Sequence, residues 1–200
     1  MDSGLREARA YTHRVVAFLT VPKLIALNGP PGIGKSTLAR RYVEEHPLSL
    51  SLEQDIVRGL IGGWAVLSEN ETGQLARELC LAMARTHLIG GHDVIVPQFV
   101  AIPGYLDRLA AVADETHATH FELVLLADAA AAERRFRARI NDPLWAEHQR
   151  LAAEFIEKAG GYQDQYARLV RSIAGRRAVA LQSLEGNIDG TYSALLEAIT

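Results

Sequence analysis

The sequence lacks three features: a set of cysteines, a long apolar run and a positive net charge. Only one of its 200 residues is cysteine, so no disulfide can form within the chain. No run reaches the roughly 18 consecutive apolar residues that a membrane-spanning helix needs. The formal net charge is -3, which provides no overall positive field for nucleic acid or anionic lipid. We therefore expect a cytoplasmic protein that is not inserted in a membrane, with a buried and unreactive Cys80.

What the sequence does have is an alternation of short apolar runs with helical patterns. Strands are predicted at about residues 23–28, 48–52, 93–96, 121–127 and 177–181, with helical patterns between them. This order predicts right-handed βαβ units and a parallel sheet covered by helices on both faces, an α/β fold. Residues 22–200 are expected to form this domain. Residues 1–21 are expected to form an N-terminal amphipathic helix that packs on it.

A glycine-rich segment follows the first predicted strand and matches the pattern G-x-x-x-x-G-K-[ST]. Glycines let the backbone amides of such a loop approach a phosphate, and the following helix points its positive N-terminus at the same charge. A lysine reaches the β- and γ-phosphates, and a hydroxyl binds magnesium. The predicted phosphate-binding residues are Gly29, Pro30, Pro31, Gly32, Ile33, Gly34, Lys35, Ser36 and Thr37. The sequence therefore predicts that a nucleoside triphosphate binds here with Mg²⁺.

An acid and an arginine follow the second predicted strand. Ligands bind beyond the carboxyl ends of the strands in such sheets, so Asp55 is expected to face the γ-phosphate. A carboxylate there can accept a proton from an attacking hydroxyl and help to hold magnesium. Arg58 is three residues further on and could bind an anionic substrate or the moving phosphoryl group. The alternative is that Asp55 only caps a helix over residues 56–61. A rival acid, Asp93, begins the third strand and is expected at the wrong edge of the sheet.

A third candidate feature is an arginine-rich helix after the fourth strand. Arg135 and Arg139 are four residues apart and share one helical face, whereas Arg137 is expected to pair with Glu133. Cations that close over a transferred phosphoryl group neutralise its charge. The helix breaker at residues 141–143 would suit the hinge of a lid around residues 135–150. The alternative is an ordinary solvated helix with charge pairs.

Together these residues resemble the small P-loop kinases, over about residues 22–200. Similar families include chloramphenicol phosphotransferase, the 5′-kinase domain of polynucleotide kinase, and the zeta-toxin, gluconate and shikimate kinases. The resemblance implies a three-layer α/β/α P-loop NTPase core, like that of the nucleoside monophosphate kinases. It also implies a five-stranded parallel sheet in the order 2-3-1-4-5 and a mobile arginine lid. Asp55 matches the general base of these kinases, and Arg135 and Arg139 match their lid arginines.

The sequence departs from the family after the third strand, which ends at Pro97 and not at a Walker B acid. Magnesium would then depend on Ser36 and Asp55. Trp64, Gln98, Phe99 and Tyr105 could line an acceptor pocket, and packing alone explains them equally well. Gln182 and Ser183 end the fifth strand, where related kinases contact the nucleotide base.

These features predict an ATP- and Mg²⁺-dependent transferase that phosphorylates a hydroxyl group of a small molecule of the antibiotic, sugar or nucleoside type. One alternative is a kinase for polynucleotide 5′ ends or, as in toxins, for nucleotide sugars. The negative net charge disfavours long nucleic acid without excluding it. A different class is a non-catalytic switch NTPase, although the N-K-x-D motif of GTPases is absent from the sequence. The acceptor and the oligomeric state are not specified.

Overall fold

A parallel sheet of five strands forms the centre of the molecule. The computed structural model describes residues 21–100, 103–139 and 146–200. The strands lie in the order β2-β3-β1-β4-β5, and every pairing between neighbours is parallel. This confirms the predicted α/β fold and strand order. The strands are β1 (Lys23–Asn28), β2 (Leu50–Ser51), β3 (Val94–Pro97), β4 (Thr119–Leu126) and β5 (Val179–Gln182).

Helices connect the strands and cover the sheet. Ser68 and Glu71 form the reciprocal hydrogen bonds of a capping box at the start of the longest described helix. The described helices are α1 (Lys35–Glu45), α2 (Gln54–Gly59), α3 (Glu69–Ile89), α4 (Pro103–Glu115), α5 (Ala129–Arg139), α6 (Ala146–Lys158), α7 (Tyr162–Ile173) and α8 (Ile188–Ala198).

The central strand β1 is buried on both faces, which explains its nearly continuous apolar sequence. Leu24 and Ala26 join the core formed with α3 and α4. Ile25 and Leu27 point to the opposite side and pack against residues of α1 and α8. Full burial of each such leucine or isoleucine contributes about 1.5–3 kcal/mol. The strand that delivers the glycine-rich loop is therefore held from both sides.

The carboxyl end of β1 is tied to the loop that follows β3. The side chain of Asn28 is 1% exposed and donates to the Val100 carbonyl at 3.0 Å. Its oxygen accepts from the amides of Val100 at 2.9 Å and Gly29 at 2.8 Å. Asn28 therefore fixes two loops relative to each other at the edge where ligands bind in such sheets.

Asp93 lies at the opposite edge, as predicted. Its carboxylate accepts from the Lys23 amide and the Tyr42 hydroxyl there.

Two of the predicted features lie outside the described residues. They are the amphipathic helix of residues 1–21, of which only residue 21 is described, and the hinge at residues 141–143. None of the helices in the described ranges has both the length and the apolar character needed to cross a bilayer.

Candidate active site

The glycine-rich loop leaves β1 and leads directly into α1. Gly32 and Gly34 have φ values of +79° and +109°, in the left-handed region that favours glycine. A Cβ atom on Gly32 would lie 2.7 Å from the backbone nitrogen of Phe136, so α5 packs directly on the loop. A Cβ atom on Gly34 would meet nothing within 4 Å. The loop thus needs glycine at one position for space as well as conformation, and at the other for conformation alone.

The first turn of α1 is suited to an anion. Its N-cap residue, Gly34, makes no side-chain capping bond, and the first turn contains no acidic residue. Lys35 is only 9% exposed, and its ammonium donates to the carbonyls of Gly29 at 2.8 Å and Pro30 at 2.9 Å. The positive helix end and the buried ammonium therefore lie on the same loop, as phosphate binding requires.

The hydroxyl of Ser36 donates to Glu53 Oε2 at 2.8 Å. Our reading of the sequence did not select Glu53. It directly follows the second strand, so its position at the same sheet edge as the loop was available as a signal. A hydroxyl that gives its proton to a carboxylate keeps its oxygen lone pairs turned outward, where they can bind a cation. The hydroxyl oxygen of Ser36 could therefore coordinate Mg²⁺, and Glu53 would orient that hydroxyl.

Asp55 lies in the first turn of α2, and it is exposed. Glu53 occupies the N-cap position of this helix and makes no side-chain capping bond. The alternative interpretation of Asp55 as a helix cap over residues 56–61 is therefore wrong: α2 begins at Gln54, before Asp55. Asp55 instead borders a cavity.

This cavity has a volume of about 690 Å³, and Pro31 of the glycine-rich loop forms part of its wall. The residues that we selected after the second and third strands surround it together. Arg58 is held there by a 2.8 Å bond to the Thr72 hydroxyl, and its guanidinium lies 5.8 Å from the centre of the Trp64 ring. The predicted site residues on its wall are Asp55, Arg58, Trp64, Gln98, Phe99 and Tyr105.

Cys80 is fully buried behind this wall, as predicted. Burial raises the pKa of its thiol to about 12, with a smaller contribution from the negative charge of Asp55. The thiol is therefore protonated and inert at neutral pH.

The arginine-rich helix presents its arginines to different surroundings. Arg137 pairs with Glu133 at 2.8 Å on the surface, as predicted. Arg135 is different, because its Nε and Nη2 atoms are buried with no hydrogen-bond partner among the described residues. Buried guanidinium nitrogens without acceptors cost free energy, so they indicate a site where an anion would be favourable. Arg139 is the last residue of α5, and its side chain lies outside the described part of the structure.

Two hydroxyl groups that hold the loop come from the end of the chain. Tyr162 of α7 donates to the Pro31 carbonyl at 2.7 Å, a contact that the sequence pattern did not suggest. The ring of Tyr162 also lies 5.8 Å from that of Phe136. Burial raises the pKa of the Tyr162 hydroxyl, and the positive charge of Arg135 opposes this shift in part. Helix α7 therefore connects the loop to the arginine helix.

The hydroxyl of Ser183, which follows β5, donates to the Ile33 carbonyl at 2.9 Å. Gln182 at the end of β5 is exposed.

The chain supplies few metal ligands of its own at this edge. Within the described residues, no group of three or more His, Cys, Asp or Glu side chains could hold a metal ion. A hydroxyl and carboxylates suit Mg²⁺, which takes few protein ligands and several phosphate or water oxygens.

Comparison with known proteins places this architecture in a family. The family model AAA_33, described as an AAA domain, matches residues 24–157, which include the glycine-rich loop, α2 and α5. The chain belongs to the AAA_33 family. No curated protein matches the sequence.

Solved structures with the same fold as this AAA_33 chain include small P-loop kinases. An APS kinase from Mycobacterium tuberculosis, in complex with AMPPNP and APS, has a TM-score of 0.57 at 16% identity, covering 90% of this chain and 98% of its own. A gluconokinase from Sinorhizobium meliloti 1021 has a TM-score of 0.54 at 18% identity, with coverages of 90% and 96%. A tunicamycin resistance protein from Deinococcus radiodurans has a TM-score of 0.54 at 18% identity, with coverages of 88% and 93%. At these identities the likeness shows the P-loop kinase fold.

Proposed function

We propose that this protein is an ATP-dependent kinase that transfers the γ-phosphoryl group to a hydroxyl of a small molecule. One observation carries the proposal: the glycine-rich loop and Asp55 border the same cavity of about 690 Å³. This volume is typical of small-molecule sites. A triphosphate on the loop and an acceptor in the cavity would therefore meet beside a carboxylate.

On the donor side, the positive N-terminus of α1 and Lys35 bind the phosphates. Lys35 begins α1, and its ammonium already lies against the loop. It would exchange its hydrogen bonds to the carbonyls of Gly29 and Pro30 for hydrogen bonds to phosphate oxygens. ATP is supported by the APS kinase of this fold, which was solved with AMPPNP. Magnesium, when bound, neutralises charge on the β- and γ-phosphates. Ser36 would hold it, with Glu53 as the acceptor of the Ser36 hydroxyl proton and Asp55 nearby.

On the acceptor side, Asp55 orients a hydroxyl and accepts its proton. The acceptor oxygen forms a bond to the γ-phosphorus, while the bond from that phosphorus to the β,γ-bridging oxygen breaks. ADP leaves with the electron pair of the broken bond, and the products are ADP, a phosphate monoester and the proton held by Asp55. Arg58, fixed by Thr72 and Trp64, would bind anionic oxygens beside this hydroxyl.

Arg135 would stabilise the charge on the transferred group. Its two buried and unpartnered nitrogens would gain acceptors when a phosphoryl group enters. Arg139 would act with it if the segment after α5 closes over the site. Gln182, at the exposed end of β5, would contact the nucleotide base of ATP.

A panel of acceptors separates this kinase from a switch NTPase. ATP would be incubated with antibiotics, sugars, nucleosides and RNA ends, and both ADP and inorganic phosphate would be measured. A kinase forms ADP only when an acceptor is present, and it releases no matching inorganic phosphate. With the true acceptor, we expect Asp55→Asn to reduce turnover by about 100-fold or more. Full turnover by this variant would contradict the role of Asp55 as the base.

A further inference from the structure

The cavity beside the glycine-rich loop is lined by more cationic than anionic side chains. Among the described residues, arginines from four helices line it, compared with two carboxylate residues. The surplus is local, because the whole chain has a net charge of -3. The arginines are Arg58 of α2, Arg77 of α3, Arg108 of α4 and Arg168 of α7, and the carboxylates are Asp55 and Glu78.

Most of these arginines already have acceptors. Arg108 forms a two-pronged ion pair with Glu78, which satisfies both oxygens of that carboxylate. Arg168 pairs with Asp164 at 3.0 Å. Arg77 differs from them, because it makes no hydrogen bond or ion pair with any of the described residues. Because Arg108 occupies both oxygens of Glu78, no carboxylate among the described residues is hydrogen-bonded to Arg77.

Arg77 also lies at a useful place relative to the reacting end of the cavity. Its helix α3 packs against α2, where Val57 joins Ala76 and Cys80 in one core. Arg77 and Asp55 line the same cavity. Phe99 and Tyr105 line the same cavity and offer apolar surface for the body of a ligand. An acceptor with a hydroxyl at Asp55 could therefore place a second group at Arg77.

We propose that the acceptor is a small anionic hydroxyl compound whose phosphate, sulfate or carboxylate group binds to Arg77. This inference rests on the proposed kinase function and narrows its substrate class. A guanidinium pairs with the oxygens of all three groups in a two-pronged geometry. A polycationic acceptor, such as an amino-sugar antibiotic, would instead place its ammonium groups beside four arginines. The cavity therefore favours acidic acceptors over neutral ones and disfavours cationic ones.

Binding can be tested without knowing the natural acceptor. With the full chain saturated in Mg²⁺ and ADP, so that the loop is filled, calorimetry would compare pairs that differ only in the anion. Suitable pairs are a nucleoside and its 5′-monophosphate, glucose and glucuronate, and glucose and glucose 6-sulfate, with inorganic sulfate as a minimal probe. Arg77→Gln would be compared with Arg85→Gln, because Arg85 is on the same helix and pairs with Glu115 outside the cavity.

We expect the anionic member of at least one pair to bind more tightly than its neutral partner. Arg77→Gln should weaken that binding by about tenfold to 100-fold, while Arg85→Gln and the affinity for ADP stay unchanged. The pair with the largest difference identifies phosphate, sulfate or carboxylate. Equal binding within every pair, or anion binding that Arg77→Gln leaves unchanged, would overturn the inference. If anions bind through Arg77 but no compound is phosphorylated, the kinase proposal fails and the anion site stands.

Discussion

The contact between Ser36 and Glu53 leads to a prediction about magnesium. The Glu53 carboxylate accepts the Ser36 hydroxyl proton at 2.8 Å in a partly buried position. A hydrogen bond to a charged group of this kind contributes about 1.5–3 kcal/mol. At about 1.4 kcal/mol for each factor of ten, its loss corresponds to roughly 10- to 100-fold. Losses of partners that orient metal ligands fall in the same range. We therefore expect Glu53→Ala to raise the Mg²⁺ concentration needed for nucleotide binding by about 10- to 100-fold.

The assay would follow binding of a fluorescent ADP analogue across a titration of Mg²⁺, which needs no acceptor. Glu53→Gln keeps an oxygen that can accept the hydroxyl proton but removes the charge, so its effect should be smaller than that of Glu53→Ala. Glu115→Ala is the matched control, because Glu115 pairs with Arg85 on the surface. If Glu53→Ala needs no more Mg²⁺ than the unaltered protein, while both have the same melting temperature, Glu53 does not orient a magnesium ligand.

Two further predictions concern α5 and the loop that it covers. Arg135→Met should lower the kcat of acceptor phosphorylation by about 100-fold or more. It should leave the free protein as stable or more stable, because it removes two buried nitrogens that have no partner among the described residues. Arg134 is exposed, so Arg134→Met should change neither kcat nor melting temperature, and a kcat loss equal in both variants would refute the assignment. Gly32→Ala should lower the free energy of unfolding in urea by about 3 kcal/mol or more, since its Cβ atom would clash with α5. Gly34→Ala adds only backbone strain, which costs about 1–2 kcal/mol. Equal losses of unfolding free energy in the two variants would show that α5 does not constrain the loop.

The fold could be predicted from the sequence because its signals are local. The apolar run of β1 and the glycine-rich loop each act within a few residues. The strand order did not follow from periodicity and came from the resemblance to P-loop kinases. The sheet of the structure has this order.

The parts of the site that could not be predicted depend on contacts between distant segments. Glu53 gains its role from Ser36, 17 residues earlier in the chain, and Tyr162 reaches Pro31 across 131 residues. Arg77 appears in the sequence as one charged residue on an amphipathic helix. Only the packing of α3 beside α4, where Arg108 binds both oxygens of Glu78, leaves Arg77 without a hydrogen-bonded carboxylate among the described residues.

The most direct test of the central claim is to follow the γ-phosphorus of ATP. The full chain would be mixed with Mg²⁺, ATP labelled with ³²P at the γ-position and the hydroxyl compounds of the acceptor panel, with Asp55→Asn in parallel. The account predicts that label moves to a hydroxyl oxygen of an acceptor as a stable phosphate monoester, and that Asp55→Asn slows this transfer by about 100-fold or more. Label that appears only as inorganic phosphate, at a rate independent of acceptor and of Asp55, would contradict it.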